Sequence, residues 1–285
     1  MAVSIRTASL TLLALIAFAS NSLLTRLALG THQIDAATFT AIRLAAGAIV
    51  LTLIVRAQAG SWTPLRGRDL RGPLALFAYA APFSFAYLRI GAAVGALVLF
   101  GVVQLTMIGY ALFSGERPAA LTWTGIALAC FGLAFLTVPS VAQPDPIGLL
   151  LMTVAGVAWG VYSLVGRKAS APLAANARGF LWSTPLAIAL VLLLRTSAHP
   201  SGRGIALALV SGALTSGLGY AIWYRALRHL SVTQAAVAQL TVPVIAALAA
   251  VPLLNERLTT RLIIAGAAVL PGVGLVLLAR ARKRV

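Results

Sequence analysis

Negative charge is what this sequence most lacks. Asp and Glu number 5 against 22 Lys and Arg in 285 residues, and the charged types together make up 9%. A soluble domain carries roughly 25% charged residues, so no water-facing surface can be assembled from a chain that is 60% hydrophobic. The chain reads as an integral membrane protein whose main partner is the lipid bilayer. A formal net charge of +17 raises nucleic acid as a partner, but such a binder gathers its basic residues on one soluble face. Here they stand at the ends of apolar runs, and no nucleic-acid partner is expected. The one cysteine, Cys130, lies in an apolar stretch, which leaves no disulfide framework and no thiolate metal site. The three histidines, His32, His199 and His229, fall in connections, there is no His-Glu-x-x-His pattern, and the acids are scattered singly. A membrane-embedded enzyme would need convergent acid, base, nucleophile or metal groups at depth; the expectation is no enzyme, no metal and no cofactor.

What the sequence has is long apolar runs. About 20 residues of helix cross about 30 Å of hydrocarbon, and that criterion places ten spans near 8–29, 36–55, 71–89, 92–113, 119–138, 147–166, 176–195, 204–226, 232–253 and 260–279. Spans three and four meet at Gly91, and eight and nine at Leu230, as tight hairpins. Arg6, the apolar run from Leu10 to Phe18 and Ala17-Phe18-Ala19 fit the three regions of a cleavable targeting peptide. The run continues through Leu23, Leu24 and Leu27 and has a counterpart at 147–167, so it is read as the first span.

That counterpart belongs to a repeat. At an offset of 140 residues, Ala96 meets Ala236, Glu116 meets Glu256, Arg117 meets Arg257, Ala127 meets Ala267 and Gly132 meets Gly272. The chain divides into five-helix halves, 1–140 and 141–285, forming one transmembrane domain. With the N-terminus inside, the inner segments hold Arg6; Arg56, Arg66, Arg68 and Arg71; Arg117; Arg167, Lys168 and Arg178; Arg225 and Arg228; and Arg280, Arg282, Lys283 and Arg284. The outer ones hold only Arg26, Arg89, Arg195, Arg203, Arg257 and Arg261. Lys and Arg favour cytoplasmic loops, so both termini are placed in the cytoplasm. An odd number of spans per half means that the second copy enters from the opposite side. Inverted repeats around a midplane site are a transporter architecture.

Candidate substrate contacts follow from polar and aromatic residues at depth. In span six, Gly156, Trp159, Gly160 and Ser163 share a helical face by spacings of three and four, a surface suited to a flat apolar ligand. Ser216, Tyr220 and Trp223 or Tyr224 share one in span eight, and Tyr79, Phe83 and Tyr87 in span three. Each set serves equally as bulk between helices, and Trp62, Trp123 and Trp182 fit the lipid interface. Asn21, Gln104 and Gln239 are amides at depth that must bond something, another helix or a substrate. Arg43, the one charge well within a span, either attracts a carboxylate or braces span two. Pro82, Pro185, Pro243 and Pro271 are expected to interrupt helices and free a carbonyl one turn back. Glu116-Arg117 and Glu256-Arg257 read as helix-end charges anchoring turns, with gating as the sharper alternative.

The ten spans in halves of five, Gly-Glu-Arg at 115–117 and Asn-Glu-Arg at 255–257, Asn21-Ser22, Arg43, Trp159-Gly160 and Ala226-Leu227 leading to Pro243 resemble the drug/metabolite transporter superfamily of the EamA type. The nearest branch is the YddG-like bacterial exporters of aromatic and other amino acids. Val103-Gln104 stands where a proline matching Pro243 is expected, so a symmetrical pair of proline hinges is in doubt. The resemblance implies a cavity surrounded by spans one, three, four, six, eight and nine. It implies a secondary transporter, a monomer in the bacterial inner membrane, that exports amino acids by alternating access. Asn21, Tyr79, Phe83, Gln104, Trp159, Ser163, Tyr220, Tyr224 and Gln239 are its candidate substrate contacts, and Arg43 and Pro243 its gate or brace. Asp, Glu and His all fall in connections or at helix ends, so obligatory proton coupling is not expected. The alternatives are a nucleotide-sugar or phosphorylated-metabolite carrier, which needs several cavity cations where only Arg43 is available, and a channel.

Overall fold

A computed structural model describes residues 4–60, 69–90, 92–137, 145–194, 200–254 and 260–278. Among these the regular structure is all helical. The helices are α1 (Ile5–Leu29), α2 (Ala36–Ala59), α3 (Arg71–Ala86), α4 (Ala92–Phe113), α5 (Ala120–Thr137), α6 (Pro146–Arg167), α7 (Pro172–Leu194), α8 (Gly202–Val210), α9 (Gly219–Leu227), α10 (Val232–Ala238), α11 (Thr241–Leu254) and α12 (Thr260–Leu278). A π-helical stretch, Ser211–Leu218, joins α8 to α9 in one rod.

Five of the described helix starts carry a polar cap, where orphan amides need acceptors. Ser4 caps α1, Asp35 caps α2, Asp145 caps α6, Ser201 caps α8, and Ser231 with Gln234 forms a reciprocal capping box on α10. Helix α2 ends at Gly60 with φ 63°, a left-handed conformation that glycine adopts without penalty.

Among the described residues, five rods, 5–29, 36–59, 146–167, 172–194 and 202–227, are long and apolar enough to cross a bilayer. The expected spans are corrected at three points. Span three ends at Ala86 rather than 89, because 87–90 form a turn that returns the chain to α4. Span eight contains the π-helical stretch. Span nine breaks at Gln239-Leu240, one turn before Pro243, whose ring has no amide hydrogen and collides with the carbonyl four residues back. Pro82, Pro185 and Pro271 do not end helices; α3, α7 and α12 run through them.

Helix packing relies on small residues, as it must where lipid is as apolar as leucine. A Cβ on Gly125 would lie 2.6 Å from the Gly272 carbonyl oxygen, and one on Gly132 would lie 2.9 Å from that of Ala265. Helices α5 and α12 therefore cross backbone to backbone and run antiparallel. Under the 140-residue offset Gly125 corresponds to Ala265 and Gly132 to Gly272, so each contact maps onto the other. Trp123 and Trp182 are about half exposed on the outside of the bundle; Trp62 lies outside the described residues. At the centre, Phe18, Tyr79, Phe83, Trp159 and Tyr220 are buried in one cluster.

Candidate functional site

The buried rings come from four rods. Trp159 of α6 sits with its ring centroid 5.2 Å from Phe18 (α1), 4.9 Å from Tyr79 (α3) and 4.7 Å from Tyr220 (α9). Tyr79 continues to Phe83 at 5.2 Å and Phe83 to Tyr87 at 4.7 Å, the periodicity of one α3 face. These tilted and edge-on arrangements are those ring quadrupoles favour. They enclose a cavity lined by Phe18, Asn21, Ser22, Tyr79, Phe83, Leu99, Phe100, Trp159, Tyr220 and Val242. Its free volume is about 20 Å³, room for water and not for an amino acid. A larger molecule would fit only with the rings parted.

Of the sequence-derived contacts, the structure brings Asn21, Tyr79, Phe83, Trp159 and Tyr220 to the cavity wall. Gln239 stands behind it: its Oε1 accepts from Trp159 Nε1 at 2.5 Å, and its Nε2 donates to the Ala235 carbonyl at 3.1 Å. Gln104 ties α4 to α10 through Nε2 and the Ala236 carbonyl at 2.7 Å. Ser163 accepts from Trp223 Nε1 at 3.2 Å, and Tyr224 donates to the Tyr162 carbonyl at 3.0 Å. The side chains of Gln104, Ser163, Tyr224 and Gln239 thus hold helix to helix, outside the cavity lining. The smooth face expected of Gly156 and Gly160 is also taken: Val102 and Leu99 approach the first and Thr106 the second, so α4 packs where a flat ligand was placed. Pro243 lies in the first turn of α11, one residue beyond Val242 of the wall.

Sequence reasoning missed Phe18, Leu99, Phe100 and Val242. Phe18 lies one helical turn before Asn21-Ser22, and Phe100 one turn before Gln104, so extending each polar position by three or four residues finds these two. It named Ser216 but missed Ser211 and Thr215, the other hydroxyls of the π-helical stretch that meet Asn21. Asn21 Oδ1 accepts from Ser211 at 2.7 Å, with Ser216 at 3.3 Å and Thr215 at 3.4 Å. The wider turn exposes a carbonyl as well: Asn176 Nδ2 donates to Gly217 at 3.0 Å, while Asn176 Oδ1 accepts from the Tyr162 hydroxyl. A π-turn inside an α-helix recurs at functional sites, and this one braces the cavity.

Arg43 is 1% exposed. Its Nε donates to Ser216 Oγ at 2.8 Å and its Nη2 to Tyr220 Oη at 2.6 Å. The guanidinium carbon lies 5.5 Å from the Tyr79 ring centre and 5.7 Å from that of Phe83, two rings of the cavity wall. Among the described residues no carboxylate pairs with it, and Nη1 has no partner. Gln104 Oε1 is likewise buried without a partner.

The halves are also tied at one end of the bundle. Glu116, past the end of α4, accepts from the Val232 amide at 2.9 Å, the Thr233 amide at 3.3 Å and the Thr233 hydroxyl at 2.9 Å. An acid from the first half thus caps a helix of the second, where the helix dipole favours negative charge.

Residues 146–278 match the model of the EamA-like transporter family. Over 275 residues, 96% of each chain, the sequence is 48% identical to an uncharacterized protein of Pseudomonas aeruginosa. It is 28% identical over 258 residues to the threonine/homoserine exporter RhtA of Escherichia coli K12, covering 86% of this chain and 83% of that one. A solved crystal structure superposes with a TM-score of 0.81 at 23% identity, covering 96% of this chain and 99% of the other; that likeness concerns the fold.

Proposed function

The chain belongs to the EamA-like transporter family, and on that premise we propose that it is a secondary carrier that exports amino acids across the bacterial inner membrane by alternating access. The observation that carries the amino-acid reading is Arg43. Burying a guanidinium without a counter-charge is costly, and this one stands against the rings of the cavity with an unpartnered Nη1. A substrate carboxylate entering between Tyr79 and Tyr220 provides the missing anion. The aromatic wall suits apolar side chains. The relative named as a threonine/homoserine exporter supports the same substrate class.

Alternating access is supported by two features. The exchange of contacts between α5 and α12 under the 140-residue offset fits two oppositely oriented halves, 1–140 and 141–285, in a ten-span bundle with both termini cytoplasmic. The Glu116 cap on α10 then closes the cytoplasmic side and must open for loading. Asp35, Asp69, Glu116 and Asp145 all lie at helix ends, which supports transport without obligatory proton coupling.

The test is countertransport in proteoliposomes of the purified protein, comparing amino acids with their carboxamides. A hydrogen bond to a charged group contributes about 1.5–3 kcal/mol, so amides are expected to exchange roughly ten- to a hundredfold less effectively. Equal exchange of acids and amides would remove Arg43 as the carboxylate anchor, and no exchange of either would overturn the amino-acid reading.

A further inference from the structure

A second cavity, of about 500 Å³, lies at the end of the bundle where α3 and α7 begin and α4 and α6 finish. It is separate from the ring cavity and shares none of its lining residues. Among the described residues three cations reach it, Arg71, Lys168 and Arg178, against one carboxylate, Asp69, so the formal charge of this lining is +2. Asp69 is engaged by Arg71 through Nε at 3.0 Å and Nη2 at 3.1 Å, and that guanidinium holds its carboxyl below the usual carboxylate range. The Lys168 ammonium stands 5.3 Å from the Tyr110 ring centre, fixed over the cavity by a cation–π contact. Helix α7 opens here directly after Ala171, whose side chain offers no acceptor to its first-turn amides, and a helix N-terminus adds partial positive charge.

The cavity also continues into an apolar track. Ile147, Leu150, Val154, Val157 and Val161 of α6 are 53, 64, 41, 44 and 39% exposed, and their spacings of three and four place them on one helix face. Val161 belongs to both the track and the cavity lining. At 1.5 Å per residue the track runs about 21 Å, longer than the roughly 15 Å depth of one leaflet. A soluble anion has no use for such a track, whereas a lipid needs both parts.

We propose that this cavity binds the headgroup of an anionic phospholipid, with Lys168 and Arg178 on its phosphodiester and an acyl chain along the α6 track. A zwitterionic headgroup brings its own ammonium into the same positive field and is disfavoured. Bound there, the lipid clasps α3, α6 and α7 at the turn joining the last two. The site is independent of what the ring cavity carries, and its test involves no transport.

The test is native mass spectrometry of the purified protein with dioleoyl phosphatidylglycerol and dioleoyl phosphatidylcholine in equal amounts. Each basic residue near a membrane surface strengthens anionic-lipid binding several-fold, so a preference for phosphatidylglycerol of about tenfold or more is expected. It should fall to within about twofold in Lys168→Gln/Arg178→Gln, and partway in Lys168→Gln alone, whose exposed side chain makes it the check against misfolding. Equal retention of the two lipids by the wild type, or an undiminished preference in both variants, would overturn the proposal. Thermal shifts separate the sources of phosphate. Short-chain dihexanoyl phosphatidylglycerol should raise the melting temperature where inorganic phosphate does not; equal shifts would assign the site to a free anion and overturn the lipid reading.

Discussion

At the scale of single residues, the side chains divide into those that line the cavity and those that hold its wall. Trp159 does both, since its face lines the cavity while Nε1 is anchored on Gln239. Stacking contributes roughly 0.5–1.5 kcal/mol beyond area burial, so Trp159→Ala is expected to weaken tryptophan-sized substrates about two- to tenfold more than threonine-sized ones, read from competition in exchange assays. Equal losses would make Trp159 a packing residue. Ser163 and Tyr224 predict the converse. Ser163→Ala leaves the Trp223 Nε1 donor unpaired, and Tyr224→Phe removes a bond to the Tyr162 carbonyl, each at a cost of about 1–3 kcal/mol. Both variants should melt at lower temperature in detergent and keep the wild-type order of substrates. A changed order would return these residues to the site.

At the scale of elements, the broken rods matter more than the continuous ones. The π-helical stretch draws Ser211, Thr215 and Ser216 onto Asn21 and Arg43, and the break before Pro243 leaves α10 a short helix between Glu116 and the cavity wall. Losing a helix cap costs roughly 0.5–2 kcal/mol, so Glu116→Ala should shift the balance toward a state open at that end by about two- to thirtyfold. The readout is thiol labelling of Thr122→Cys, buried beside Glu116, in a Cys130→Ala background. Faster labelling with Glu116→Ala is the expected result; an unchanged rate would mean that the cap steadies a turn and gates nothing.

At the scale of the whole molecule, orientation and energetics are testable together. Reporter fusions should place Val285 in the cytoplasm and Gln143 outside, and a cytoplasmic signal at Gln143 would end the inverted-repeat argument. Substrate flux in proteoliposomes should follow the substrate gradient, and an imposed pH gradient alone should drive no uphill accumulation. Uphill accumulation that vanishes in Glu116→Gln while exchange survives would instead make that helix-end acid the coupling site.

The sequence by itself determined the membrane class, the transporter family, the positions of most helices and the place of Arg43 as a charge inside the bundle, because these depend on composition, run length and one conspicuous charge in an apolar span. It also located five of the cavity-lining residues, whose rings and amide stand out among Leu, Val and Ala. Only the tertiary structure decided which polar groups face the cavity and which are bonded between helices. Gln239, Gln104, Ser163 and Tyr224 have the same chemistry as cavity residues, and whether a neighbouring helix has already taken their hydrogen bonds depends on helix rotation and crossing, which hydropathy does not encode. The same holds for the glycines: Gly156 and Gly160 mark a close approach in sequence, but only the fold shows that α4 makes it. The π-turn and the cap of Glu116 on α10 join residues far apart in the chain, and packing alone brought them together.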